Sequence, residues 1–155
     1  MTLLQMPITV LLADGSDVMR AAIVLLLNKE PRIEFVGAAA NFAEALQLTA
    51  ALKPDVLLID LHMPDAEKRA FNSLKAQVLQ GTGCIVAISV WTDENAKALA
   101  HEFGAHVLLD KTRLDSQLIP AIIKFCPTGT VRDFKQQHAT VTQDAGLPVA
   151  TITDT

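Results

Sequence analysis

"DVLLID" occupies residues 55–60 and decides how the rest of the chain is read. Four consecutive apolar residues lie between two aspartates. A strand with one wet face alternates apolar and polar residues; this one does not. It reads as a strand covered on both faces, the pattern of a parallel sheet. The run stops at a carboxylate, Asp60, and "LHMPD" (61–65) leads away from it. Four similar runs surround it: "ITVLLA" (8–13), "IEFVGA" (33–38), "CIVAISV" (84–90) and "HVLLD" (106–110).

Helix-like stretches separate the runs. "DVMRAAIVLLLNKE" follows the first and "NFAEALQLTAAL" the second. Asn41 with Glu44 three residues later resembles a capping box, and Pro54 closes that helix. "AEKRAFNSLKAQVLQ" follows the third strand and ends at Gly81 and Gly83, which read as turn residues. "DENAKALAHEF" follows the fourth and ends at Gly104; "RLDSQLIPAIIKF" follows the fifth. Pro120 inside the last stretch removes a helix donor, so it marks a kink or the true helix start. The expectation is an α/β fold over residues 1–126: a (βα)5 flavodoxin-like, doubly wound parallel sheet in the order 2-1-3-4-5. From Pro127 onward the apolar periodicity stops. Residues 127–155 read as a flexible C-terminal tail, with one short helix near 131–138.

The chain has 155 residues, is half hydrophobic and carries a net charge of -4, which suits one domain with a real core. No basic stripe favours nucleic acid. No apolar run reaches the roughly 20 residues of a membrane span, and the N-terminus lacks signal-peptide features. Only two cysteines occur, Cys84 and Cys126. The expectation is a reducing, cytoplasmic setting, with Cys84 as an inert core residue.

In an open parallel sheet, ligands bind beyond the carboxyl ends of the strands. Strand 1 ends at Asp14, strand 3 at Asp60, strand 4 near Ser89, and Lys111 follows strand 5. The order 2-1-3-4-5 makes these four strands consecutive neighbours, about 4.8 Å apart. Two carboxylates that close need a shared cation. Mg²⁺ accepts one or two carboxylates with phosphate oxygens and water. A carboxylate can also be a nucleophile, forming an aspartyl-phosphate whose oxygens a lysine and a hydroxyl would hold. Each residue also has a plain structural reading. Asp14 can cap the next helix, Ser89 can bond its loop, and Lys111 can be a solvated surface lysine. The joint placement at adjacent strand ends favours chemistry. His62, His101, His106 and His138 have no metal-ligand spacing.

Over about residues 7–126 the sequence resembles the receiver domain of two-component response regulators. "VLLADGSDVMRAA", "KPDVLLIDLHMPD", "AISV" and "GAHVLLDKT" carry the resemblance. The wording is closest to receivers joined to LuxR-type helix-turn-helix domains, and no such domain is expected in the aperiodic residues after Cys126. The resemblance implies that Asp60 accepts a phosphoryl group from a histidine kinase or phosphotransfer protein. It implies that Asp14, Asp60 and the backbone carbonyl of His62 bind Mg²⁺, that Ser89 is the switch hydroxyl and that Lys111 pairs with the phosphoryl group. Pro64 shapes the loop after the acceptor. Such a domain catalyses its own Mg²⁺-dependent phosphorylation and dephosphorylation but is not a conventional enzyme.

Three features depart from the family pattern. Gly15 stands where a second acid is usual, which implies weak Mg²⁺ binding; Asp17 nearby reads as a first-turn acid. Bulky Val90 and Trp91 follow Ser89. Leu108 replaces an aromatic on strand 5. The leading reading is a stand-alone receiver that signals through a downstream protein partner. Its contact face, or a homodimer interface, is helix 4–strand 5–helix 5. The alternatives are a degenerate receiver acting as a phosphorylation-independent docking module, and the receiver part of a truncated transcription regulator.

Overall fold

The computed structural model describes residues 6–65, 72 and 83–126. Five strands form one parallel sheet in the order β2-β1-β3-β4-β5. They are β1 (Ile8–Ala13), β2 (Ile33–Ala39), β3 (Val56–Asp60), β4 (Cys84–Ser89) and β5 (Val107–Asp110). Of the α-helices among the described residues, α1 (Asp17–Asn28), α2 (Phe42–Leu52) and α3 (Glu94–Phe103) link successive strands, and α4 (Leu114–Phe125) follows β5. The architecture is the expected doubly wound one, and α3 and α4 are the fourth and fifth helices expected from the sequence. The third expected helix and the tail lie outside the described residues.

Every residue of β3 and β4 is buried. Strand period 2 sends alternate side chains to opposite faces. Val10, Leu12, Val56, Leu58, Val86, Ile88, Val107 and Leu109 pack with Ile23 and Leu27 of α1 and Leu118 and Ile122 of α4. Leu11, Leu57, Ile59, Ile85, Ala87 and Leu108 pack with Phe42 of α2 and Ala100 and Phe103 of α3. This double burial is why the strands read as continuous apolar runs. Full burial of one such side chain contributes about 1.5–3 kcal/mol.

Local signals end the helices as their chemistry requires. Asn41 accepts from the Glu44 amide at 2.8 Å, and Glu44 returns a carboxylate oxygen to the Ala40 amide at 3.2 Å. Lys53 takes a left-handed conformation (φ 46°) and ends α2 just before Pro54. Gly104 (φ 80°) ends α3, where the missing Cβ removes the steric penalty. Pro120 lies inside a continuous α4, so it is not the helix start. It is on the exposed face, where water can satisfy the carbonyl it leaves unbonded.

One expectation is corrected. Cys84 is not an inert, unpaired core thiol: it forms a disulfide with Cys126 across 42 residues of sequence, with a Cα–Cα distance of 5.7 Å. The end of α4 packs on the start of β4, which brings the two Cα atoms within disulfide span. The cysteine pair therefore gives no support to a reducing compartment. Among the described residues, no helix is long and apolar enough to cross a membrane.

Candidate functional site

Strand register brings the polar residues together. Ala13 pairs with Ile59, so the next residues, Asp14 and Asp60, are level. Asp60 pairs with Ile88, and Ser89 is one step further. Ser89 pairs with Asp110, and Lys111 follows. Asp14 and Ser89 are fully buried and Asp60 is 7% exposed. All four sequence-expected side chains thus converge at the carboxyl ends of the strands.

Lys111 is the hub. Its Nζ lies 2.6 Å from Asp14 Oδ2 and 3.2 Å from Asp60 Oδ2. One ammonium bridges two carboxylates that would otherwise repel each other. The plain reading of Lys111 as a solvated surface residue fails, since its side chain is only 9% exposed. The remaining carboxylate oxygens are also held. Asp14 Oδ1 accepts from the Ser16 amide at 2.8 Å, and Asp60 Oδ1 from the His62 amide at 3.0 Å.

The helix-cap reading of Asp14 also fails. Ser16 caps α1, its hydroxyl accepting from the Met19 amide at 3.2 Å. Asp17 pairs with Arg20, and its side chain is 91% exposed. Arg20 also donates from Nη1 to the Asp14 carbonyl at 2.7 Å, fixing the turn that carries Asp14. Gly15 contributes no side chain.

Sequence reasoning missed two residues of this site. Asp65 accepts from the Phe42 amide at 2.9 Å and the Ala43 amide at 3.1 Å, anchoring the loop after β3 on the N-terminus of α2. The second is the His62 imidazole. Its Nε2 lies 3.1 Å from Ser89 Oγ, and its ring meets Trp91 edge-on at 4.9 Å. Its position two residues after Asp60 was the available signal, but spacing alone does not show where a ring points.

Among the described residues, no group of three His, Cys, Asp or Glu side chains forms a metal site. The donor set is two carboxylates sharing one cation. That set still suits Mg²⁺, which completes its shell with carbonyl oxygens, phosphate and water.

A doubly wound parallel sheet with two acids, a lysine and a hydroxyl at neighbouring strand ends defines a receiver-type signalling domain. The chain belongs to the response regulator receiver domain family, which it matches over residues 10–123. It is 32% identical over 143 residues to a protein-glutamate methylesterase/protein-glutamine glutaminase of Koribacter versatilis, covering 87% of this chain and 39% of that protein. It is also 32% identical over 119 residues to the Escherichia coli nitrate/nitrite response regulator NarL, covering 76% of this chain and 54% of that protein. The chain therefore spans only about two fifths to half of these relatives. The NarL receiver domain of Mycobacterium tuberculosis shares the fold, with a TM-score of 0.69 and 23% identity over 77% of this chain and 95% of that one. So does the response regulator domain of Thermotoga maritima CheB, with a TM-score of 0.67 and 24% identity over 77% of this chain and 96% of that one.

Proposed function

We propose that Asp60 is the phosphoacceptor of a phosphorylation-controlled receiver. The observation that carries this reading is Lys111 bridging Asp14 and Asp60, with Ser89 on the neighbouring strand. In the reaction, an Asp60 carboxylate oxygen attacks phosphorus in a phosphohistidine. The P–N bond breaks as the P–O bond forms, and the histidine nitrogen leaves with the electron pair. Lys111 then donates to a phosphoryl oxygen, and the Ser89 hydroxyl donates to another. Asp14, Asp60 and the His62 carbonyl would hold Mg²⁺, which when bound neutralises charge on the phosphoryl oxygens.

Incubation with phosphoramidate and Mg²⁺, read by intact mass, should add one phosphate to the wild type and none to Asp60→Asn. A gain that persists in Asp60→Asn assigns the acceptor elsewhere. No gain in the wild type supports the second reading, a degenerate docking module, which Gly15 favours by supplying no acid.

The phosphodonor is a histidine kinase or phosphotransfer protein, and the output is contact with a partner protein or a second copy through α3, β5 and α4. NMR shifts on beryllofluoride binding should map to that face; shifts confined to α1 and α2 would contradict it. The partial coverage of both relatives supports a further possibility, that this receiver governs an output domain, as in a transcription regulator. A cytoplasmic setting fits a kinase partner, and burial of Cys84 and Cys126 (0% and 2% exposed) shields their disulfide from reductants.

A further inference from the structure

The Ser89 hydroxyl is fully buried and sits between two partners. The Trp91 amide donates to its oxygen at 3.0 Å, and His62 Nε2 lies 3.1 Å away on the other side. A hydroxyl has one proton to donate. The Trp91 amide already supplies a donor, so the buried Ser89 proton needs an acceptor. In the tautomer with its proton on Nδ1, His62 Nε2 presents a lone pair to that proton, and this is the arrangement on which the latch rests. The imidazole itself is braced: its ring stands edge-on to Trp91, with centroids 4.9 Å apart and planes at 87°. Trp91 is 56% exposed, so this chain of contacts runs from a buried hydroxyl to the protein surface.

We propose that His62 is a positioning residue that latches Ser89 in the resting domain and couples its release to Trp91. The proposal rests on Asp60 being the phosphoacceptor. The same Ser89 proton cannot serve His62 Nε2 and a phosphoryl oxygen on Asp60. Engaging the phosphoryl group therefore breaks the bond to His62, and the freed imidazole changes its contact with the indole. Leu108 on β5 is fully buried and has no ring to move, so the exposed Trp91 becomes the aromatic reporter of the site. The latch opposes phosphoryl-group binding by the worth of one hydrogen bond between neutral groups, about two- to tenfold in affinity.

Beryllofluoride with Mg²⁺, which mimics the phosphoryl group on a carboxylate, tests this. Binding is read by 19F NMR and, separately, by Trp91 emission. His62→Phe keeps a ring against Trp91 but removes the acceptor. It should bind beryllofluoride about two- to tenfold more tightly than the wild type, and His62→Ala should do the same. The gain should vanish in a Ser89→Ala background, which a merely structural role of His62 would not produce. Saturation should change Trp91 emission in the wild type and leave it nearly unchanged in His62→Ala. Equal or weaker binding by both His62 variants, or an equal gain without Ser89, overturns the latch while leaving Asp60 as acceptor. No beryllofluoride binding by the wild type overturns the acceptor reading, and the latch with it.

Discussion

Replacing Gly15 with aspartate should tighten Mg²⁺ binding about tenfold. The backbone permits the change. Among the described glycines only Gly104 has a positive φ, so Gly15 is not in a conformation reserved for glycine. A Cβ built there meets Ala40 O at 3.7 Å, Pro64 Cδ at 3.8 Å and Met63 Cγ at 4.0 Å, all ordinary contacts. A carboxylate about 4 Å from a divalent ion gains roughly 8 kcal/mol of Coulomb energy at an effective dielectric near 20. Most of that is offset, because the carboxylate must shed its own hydration and displace a water from the ion. A net ~1.4 kcal/mol is already tenfold in affinity. Asp17 cannot already fill this role from its present position, since it pairs with Arg20 and its side chain is 91% exposed. Without metal the sign reverses: a third carboxylate joins Asp14 and Asp60 around Lys111, so Gly15→Asp should lower stability by roughly 1 kcal/mol. Calorimetric Mg²⁺ titration gives the affinities, and thermal melts with and without Mg²⁺ give the stability change. Phosphorylation by phosphoramidate at limiting Mg²⁺ should be faster in the variant. Equal Mg²⁺ affinities for the two proteins would refute the reasoning and mean that a backbone group already completes the site.

Three further outcomes are expected. Lys111→Met leaves Asp14 and Asp60 buried without their shared cation, so the metal-free protein should lose about 3 kcal/mol in urea unfolding and recover part of it in Mg²⁺; unchanged stability would mean the carboxylates do not need that ammonium. The phosphorylated form should be long-lived, because Val90 and Trp91 follow Ser89 at the site and can obstruct an in-line water. Val90→Ala with Trp91→Glu should shorten the lifetime in a phosphate-release assay, and no change would argue against shielding. The Cys84–Cys126 disulfide closes a loop of 42 residues, so Cys126→Ser should lower stability by ~4 kcal/mol in the chain-entropy estimate while phosphoramidate still labels the protein. A variant as stable as the wild type would show that the bond adds nothing to packing already present at the end of α4.

Much of the site is legible in short stretches of sequence. Asp14, Asp60, Ser89 and Lys111 could be named because a strand's end is a local event: an apolar run stops and a polar residue follows. The order of the strands then made those ends neighbours. Asn41 with Glu44 and the glycine after Phe103 were readable for the same reason, since caps are set by residues within one helical turn. That Gly15 stands where a second acid is usual came from the family resemblance and not from local pattern.

Other features depended on residues far apart in the chain. Lys111 was expected to face a phosphoryl group, but its bridge between Asp14 and Asp60 depends on how the turn after β5 settles against β1 and β3. Where the His62 ring lies is not written in its neighbours; His62 remains exposed, and its contact with Ser89, 27 residues away, goes with a loop after β3 that Asp65 anchors on α2. Cys84 looked like a core thiol until α4 brought Cys126 beside it. Periodicity, caps and strand ends are written in neighbouring residues, so the sequence by itself determined the described elements, their order and the residues at their tips. Which tip touches which was decided by the tertiary structure, because a hydrogen bond or ion pair depends on positions within a few tenths of an ångström, and only close packing of distant elements sets those positions.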